Sequence, residues 1–146
     1  MNRLASVNKN LSADLNILSD EVILRRVYQY TLDFSNQAVE LAVDKSAENI
    51  ILKLRASDDI SQDELNYLQA LVEKHDEIYF DLEDEGSDEE AAREFIKARA
   101  FAAVRFLAQY RMIEDVKLLE EAIYEASTLL EDPAPYFDKI GRLLKN

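Results

Sequence analysis

Residues 88–110 read DEEAAREFIKARAFAAVRFLAQY, and this stretch decides the fold. Between Ala98 and Ala108 only Arg99 and Arg105 carry charge. The other positions are apolar on nearly every side of a 3.6-residue period, so a helix here has to be covered by several neighbours at once. Ala98, Ala100, Ala102, Ala103 and Ala108 keep its surface slim and allow those neighbours to approach closely. The pattern predicts an all-α, single-domain bundle of five to six helices around a central apolar helix at about residues 88–110. A break is expected near Arg111, Met112 and Ile113.

The flanking segments carry one-sided stripes instead. Ile23, Val27, Tyr30, Phe34, Ala38 and Leu41 recur at steps of three and four, behind Ser19 or Asp20 as a cap. Ser46 is read as the start of a short helix with Ile50, Ile51 and Leu54, ended by Ser57-Asp58-Asp59. Ser61-Gln62-Asp63-Glu64 has the capping-box pattern and opens a helix with Leu65, Leu68, Val72, His75, Tyr79 and Leu82 on one face. Gly86 suits the turn that ends it, and Ser87 to Glu90 repeats the capping-box pattern. After the central helix come Val116, Leu119, Ile123, Ala126 and Leu130, then a stop at Pro133 and Pro135. Phe137, Ile140 and Leu144 mark a last short helix. Residues 1–18, rich in Asn and Ser, are expected to be poorly ordered or short-helical. No strand-like alternation stands out.

Two glycines and two prolines in 146 residues agree with long helices and short connections. Hydrophobic residues at 48% and charged residues at 32% are those of a chain able to build a core. With no cysteine there is no disulfide, no thiolate metal site and no Cys nucleophile. Met1 to Leu18 lacks the apolar run of a signal peptide, and no run approaches the roughly 20 apolar residues of a membrane span. These readings predict a cytoplasmic protein that does not enter a membrane.

Charge is where the chain departs from the ordinary. The formal net charge of −13 is concentrated in residues 61–90, where twelve Asp/Glu face the single base Lys74. Such acidity opposes nucleic-acid binding, which needs clustered Lys and Arg, and favours a basic partner. Asp88, Glu89 and Glu90 fall at a helix N-terminus, where carboxylates gain about 0.3–1 kcal/mol each. Asp81, Glu83, Asp84 and Glu85 fall at a helix C-terminus, where they are opposed by free carbonyls and by one another. Glu73, Asp76, Glu77, Phe80 and Asp84 share one face of the same helix. An aromatic ringed by carboxylates has the composition of an interface anchor in a charged rim. The alternatives are a plainly solvated helix end and a Phe80 packed under a neighbouring helix.

The candidate partner-binding set is therefore Glu73, Asp76, Glu77, Phe80, Asp81, Glu83, Asp84 and Glu85. The expected function is non-enzymatic: an acidic helical protein engaging a basic protein, immunity- or antitoxin-like by charge logic alone. The alternatives are a helical homo-oligomer, or a small-ligand-binding domain with an inter-helix pocket near His75 and Arg105. A lesser one is a weak divalent-cation site at 81–90, where Glu83, Glu85 and Gly86 fall on EF-hand positions but Ala92 occupies that of the bidentate ligand. His75 on the apolar stripe reads as a boundary histidine with one hydrogen-bond partner. Arg99 and Arg105 read as paired with carboxylates of neighbouring helices. Tyr28, Tyr67, Tyr110 and Tyr136 read as boundary residues with hydroxyls in water. No catalytic constellation, metal set or cofactor motif is present.

Overall fold

The computed structural model describes residues 2–38 and 44–145. In chain order they form α1 (Arg3–Val7), α2 (Lys9–Ile17), α3 (Glu21–Ala38), α4 (Lys45–Arg55), α5 (Gln62–Asp84), α6 (Asp88–Ile113), α7 (Val116–Ser127) and α8 (Ala134–Leu144). The all-α expectation holds. The expected count of five to six is exceeded, with eight helices among the described residues, because residues 3–17 fold as two short helices. Leu4, Leu11 and Leu15 bury their side chains there, and Asn2 and Asn8 cap the two N-termini.

α6 is the centre. Residues 100–104 are buried without interruption, which on a helix means cover on every side. α5, α7, α3 and α4 supply it, α5 most extensively. The helix runs three residues past the expected end at Tyr110. Arg111 anchors that extension by donating from Nη2 to the Ser57 carbonyl at 2.8 Å, and Glu114 closes it in the left-handed region at φ 58°.

Local signals account for most helix ends. Asp20 accepts from the Val22 and Ile23 amides, settling the Ser19-or-Asp20 choice. α4 begins one residue earlier than Ser46, because Asp44 accepts from the Ala47 amide at 2.9 Å. The Ser61–Glu64 capping box forms in both directions. The second box does not: Ser87 makes no side-chain cap. Leu41, the last member of the α3 stripe, lies outside the described residues.

The turn between α5 and α6 positions the acidic stretch. The Ser87 amide donates to the Leu82 carbonyl at 2.9 Å and the Gly86 amide to that of Glu83 at 3.1 Å. These are the two bonds of a Schellman motif. Gly86 stands at φ 78° to allow them. The result is a tight hairpin that sets the C-terminus of α5 beside the N-terminus of α6.

Two tyrosines correct the boundary assignment. Tyr28 and Tyr136 are buried. Tyr28 donates to the Leu54 carbonyl at 2.9 Å, and the Tyr136 hydroxyl bonds that of Thr31 at 3.1 Å. Burial pushes both phenols well above their usual pKa. Tyr136 also stacks on Phe34 at 4.5 Å, fastening α8 to α3. No helix among the described residues is long and apolar enough to cross a membrane.

Gly86→Ala tests the hairpin. The added Cβ meets no atom within 4 Å, so its cost is backbone strain alone. We expect a loss of about 1 kcal/mol in urea unfolding, and an unchanged midpoint would show that the turn does not need the left-handed residue.

Candidate functional site

On α5 the apolar stripe of Leu68, Leu71 and Val72 faces α6, which leaves the opposite face outward. Glu73, Glu77, Asp81, Glu83, Asp84 and Glu85 are exposed. Among the described residues none of these six has a basic partner within ion-pair distance; Glu73 accepts only from Gln69, at 3.0 Å. Phe80 is 61% exposed among them. It is not covered by a neighbouring helix; its ring leans on Tyr79, with centroids 5.2 Å apart. The nearby Glu83 carboxylate raises the pKa of the Tyr79 hydroxyl.

Asp76 stands apart from the rest of the candidate set. It is half-buried and binds Arg99 through both oxygens, at 3.0 and 2.9 Å from Nη2. The Nη1 of the same guanidinium reaches Glu125 on α7 at 2.7 Å. Glu125 is buried and takes a second cation, Arg3, at 2.8 Å, while Arg3 also binds Glu121 at 2.6 Å. A relay of charges thus runs from α5 through α6 and α7 to α1. Asp76 serves that relay and is not free for a partner.

Beyond Tyr79 the surface dips into a groove of about 650 Å³ between the ends of α5, α6 and α7. Its apolar lining is Ala91, Phe95, Ile96 and Leu129, with Ala92 and Leu130 exposed at its walls, and Glu83, Asp88, Thr128 and Glu131 also line it. No Lys or Arg lines it. The Tyr79 and Phe95 rings lie 5.5 Å apart, so Phe80, Tyr79 and Phe95 form an aromatic row from the acidic face into the groove. Sequence periodicity missed this feature. Phe95 and Leu129 lie 34 positions apart, and only the packing of α6 against α7 and the turn that follows it brings them together.

The other candidates resolve as structural elements. His75 bonds Glu94 through Nδ1 at 2.6 Å and stacks on Phe101 at 5.5 Å, the single-partner role expected of it. Burial works against the Glu94 carboxylate, but the His75 hydrogen bond and the nearby Lys97 outweigh it and hold the Glu94 pKa below the usual range. Arg105 has no ion-pair partner among the described residues and lies over the Phe106 ring at 4.3 Å, so the expected carboxylate pairing holds for Arg99 alone. Neither His75 nor Arg105 lines a described cavity. Among the described residues no three His, Asp or Glu side chains converge to hold a metal ion. A cavity of about 290 Å³ near Tyr28 and Tyr110 holds Arg25 and Arg111. Both arginines bond Ser57, the left-handed residue that ends α4, and Glu21 and Glu114 offset their charge.

No protein-family model, curated protein or solved structure matches this chain.

Two expectations follow from the relay and from Glu94. Arg99→Met leaves the buried Glu125 with only Arg3 and frees Asp76, so we expect a loss of about 3 kcal/mol in chemical denaturation; a loss below about 0.5 kcal/mol would show the relay to be ornamental. Because the folded-state pKa of Glu94 is depressed, its contribution is complete above its ordinary value of 4.5 and is lost as pH falls through the lowered folded value. Glu94→Gln should flatten the acid limb of the stability–pH curve, and an unchanged limb would contradict the assignment.

Proposed function

We propose that this chain is a non-enzymatic binding protein whose acidic end, within residues 73–90, engages a basic protein partner. One observation carries the reading. Six carboxylates crowd the outer face and C-terminal end of α5 with no basic partner among the described residues, and they surround an exposed phenylalanine. Carboxylates at a helix C-terminus oppose the helix dipole and repel one another, so stability alone does not explain them. A cationic partner relieves both costs on docking. The same field steers diffusional encounter and raises the association rate, while Phe80 and Tyr79 supply desolvated contact.

Proteins that neutralise a cationic nuclease follow this charge logic, and an immunity- or antitoxin-like role in the cytoplasm belongs to the same proposal. Asp76 is removed from the contact set, since Arg99 already holds it. The working set becomes Glu73, Glu77, Phe80, Asp81, Glu83, Asp84 and Glu85.

The test begins with capture of basic proteins from a lysate of the source organism at low and high salt. The captured protein should then bind the purified chain with an association rate that falls steeply as salt rises. Asp84→Lys combined with Glu85→Lys should slow that association by about tenfold or more. Undiminished association of the double variant would defeat the proposal.

A further inference from the structure

We propose that the partner enters as one amphipathic, cationic α-helix laid into the groove between the ends of α5, α6 and α7. This rests on the reading above and adds to it the form of the bound segment and the place of its anchor. The groove has an apolar lining that includes Phe95, Ile96 and Leu129, and every charged residue that lines it is acidic. Side chains of an occupant have to be apolar beneath and cationic at the edges.

The backbone of the occupant is constrained as well. The groove is walled by α5, α6 and the turn at residues 128–131 after α7, and none of these is a strand edge with a row of open amides and carbonyls. A segment lying over its apolar floor must satisfy its own main-chain hydrogen bonds, and a helix does that. Leucine-like residues at positions i, i+3, i+4 and i+7 then face the floor. Lys or Arg on the flanks meet Glu83, Asp88 and Glu131. The aromatic row of Phe80, Tyr79 and Phe95 makes this groove continuous with the acidic face, so one helix contacts both. A second copy of this chain is the wrong occupant, because it brings a net charge of −13 to a rim of the same sign.

The experiment uses the full chain and two labelled synthetic helices of about 18 residues, five turns each. Both carry lysine flanks of equal charge; one has leucine on its inner face and the other alanine. Fluorescence anisotropy at low salt should show the leucine helix binding at least about tenfold tighter, the scale of a filled apolar anchor. Ala92 is exposed at the groove wall, so Ala92→Trp fills the groove without touching the core. It should erase the leucine helix's advantage and leave the alanine helix's affinity unchanged. Leu130→Ser, also at an exposed position, should weaken the leucine helix in the same sense and guards against a misfolded tryptophan variant.

Equal affinity of the two helices, or indifference to both substitutions, overturns the groove while leaving the acidic face standing. Failure of both helices to bind, or binding unaffected by Asp84→Lys with Glu85→Lys, brings down the acidic-face reading together with it. A dimer in sedimentation that Ala92→Trp dissociates assigns the groove to a second copy and also overturns the proposal.

Discussion

The Arg99 guanidinium, held between Asp76 of α5 and Glu125 of α7, is the interaction on which the rest of the arrangement depends. From the central helix it joins α5 on one side to α7 on the other. The pair with Glu125 is nearly dry, since that side chain is only 2% exposed, and a charge so placed needs its counterion. Arg3 adds the second cation, draws α1 onto α7, and lies over the Tyr124 ring at 4.5 Å. The N-terminal helices are tied in by the same means, because Asn2 and Ser12 both donate to the buried Glu120.

The far end of α5 lacks such pairing among the described residues. Arg3 and Arg99 are committed to interior carboxylates, Arg105 to the Phe106 ring, and Arg25 and Arg111 to the end of α4. Residues 61–90 contain only Lys74 as a base. Among the described residues no base lies within ion-pair distance of Glu83, Asp84 or Glu85. Their charge stays exposed on the surface, next to the apolar groove.

Much of this could be read from the residues. The all-round apolarity of residues 98–108 announced a central helix, because five consecutive buried positions demand neighbours on all sides. Ser61 and Glu64 announced a helix start, because both bonds of the box lie within four residues. The isolation of the acidic face was legible in the charge count. What periodicity could not supply was long-range partnership. Asp76 and Phe80 share one face of α5, yet Arg99 reclaims the first and leaves the second free; no local rule separates them. The buried Tyr136 looked like a boundary residue because its partner, Thr31, lies 105 positions away. The pattern at Ser87 matched a capping box, but the Gly86 turn uses the Ser87 amide that Glu90 would have to bond, and the Ser87 side chain makes no cap. The groove was invisible for the same reason, being assembled from the ends of three helices.

Among the described residues the carboxylates at the C-terminus of α5 have no basic partner, and they oppose the stability of the fold. Urea unfolding of the isolated chain, compared with the Asp84→Lys, Glu85→Lys double variant across a range of salt concentrations, tests this without any partner. The account predicts that the variant is the more stable protein, by about 0.5–1.5 kcal/mol at low ionic strength, and that the gain shrinks as salt screens the charges. A variant less stable than the native chain would show that those carboxylates are already satisfied inside the molecule, and would contradict the account.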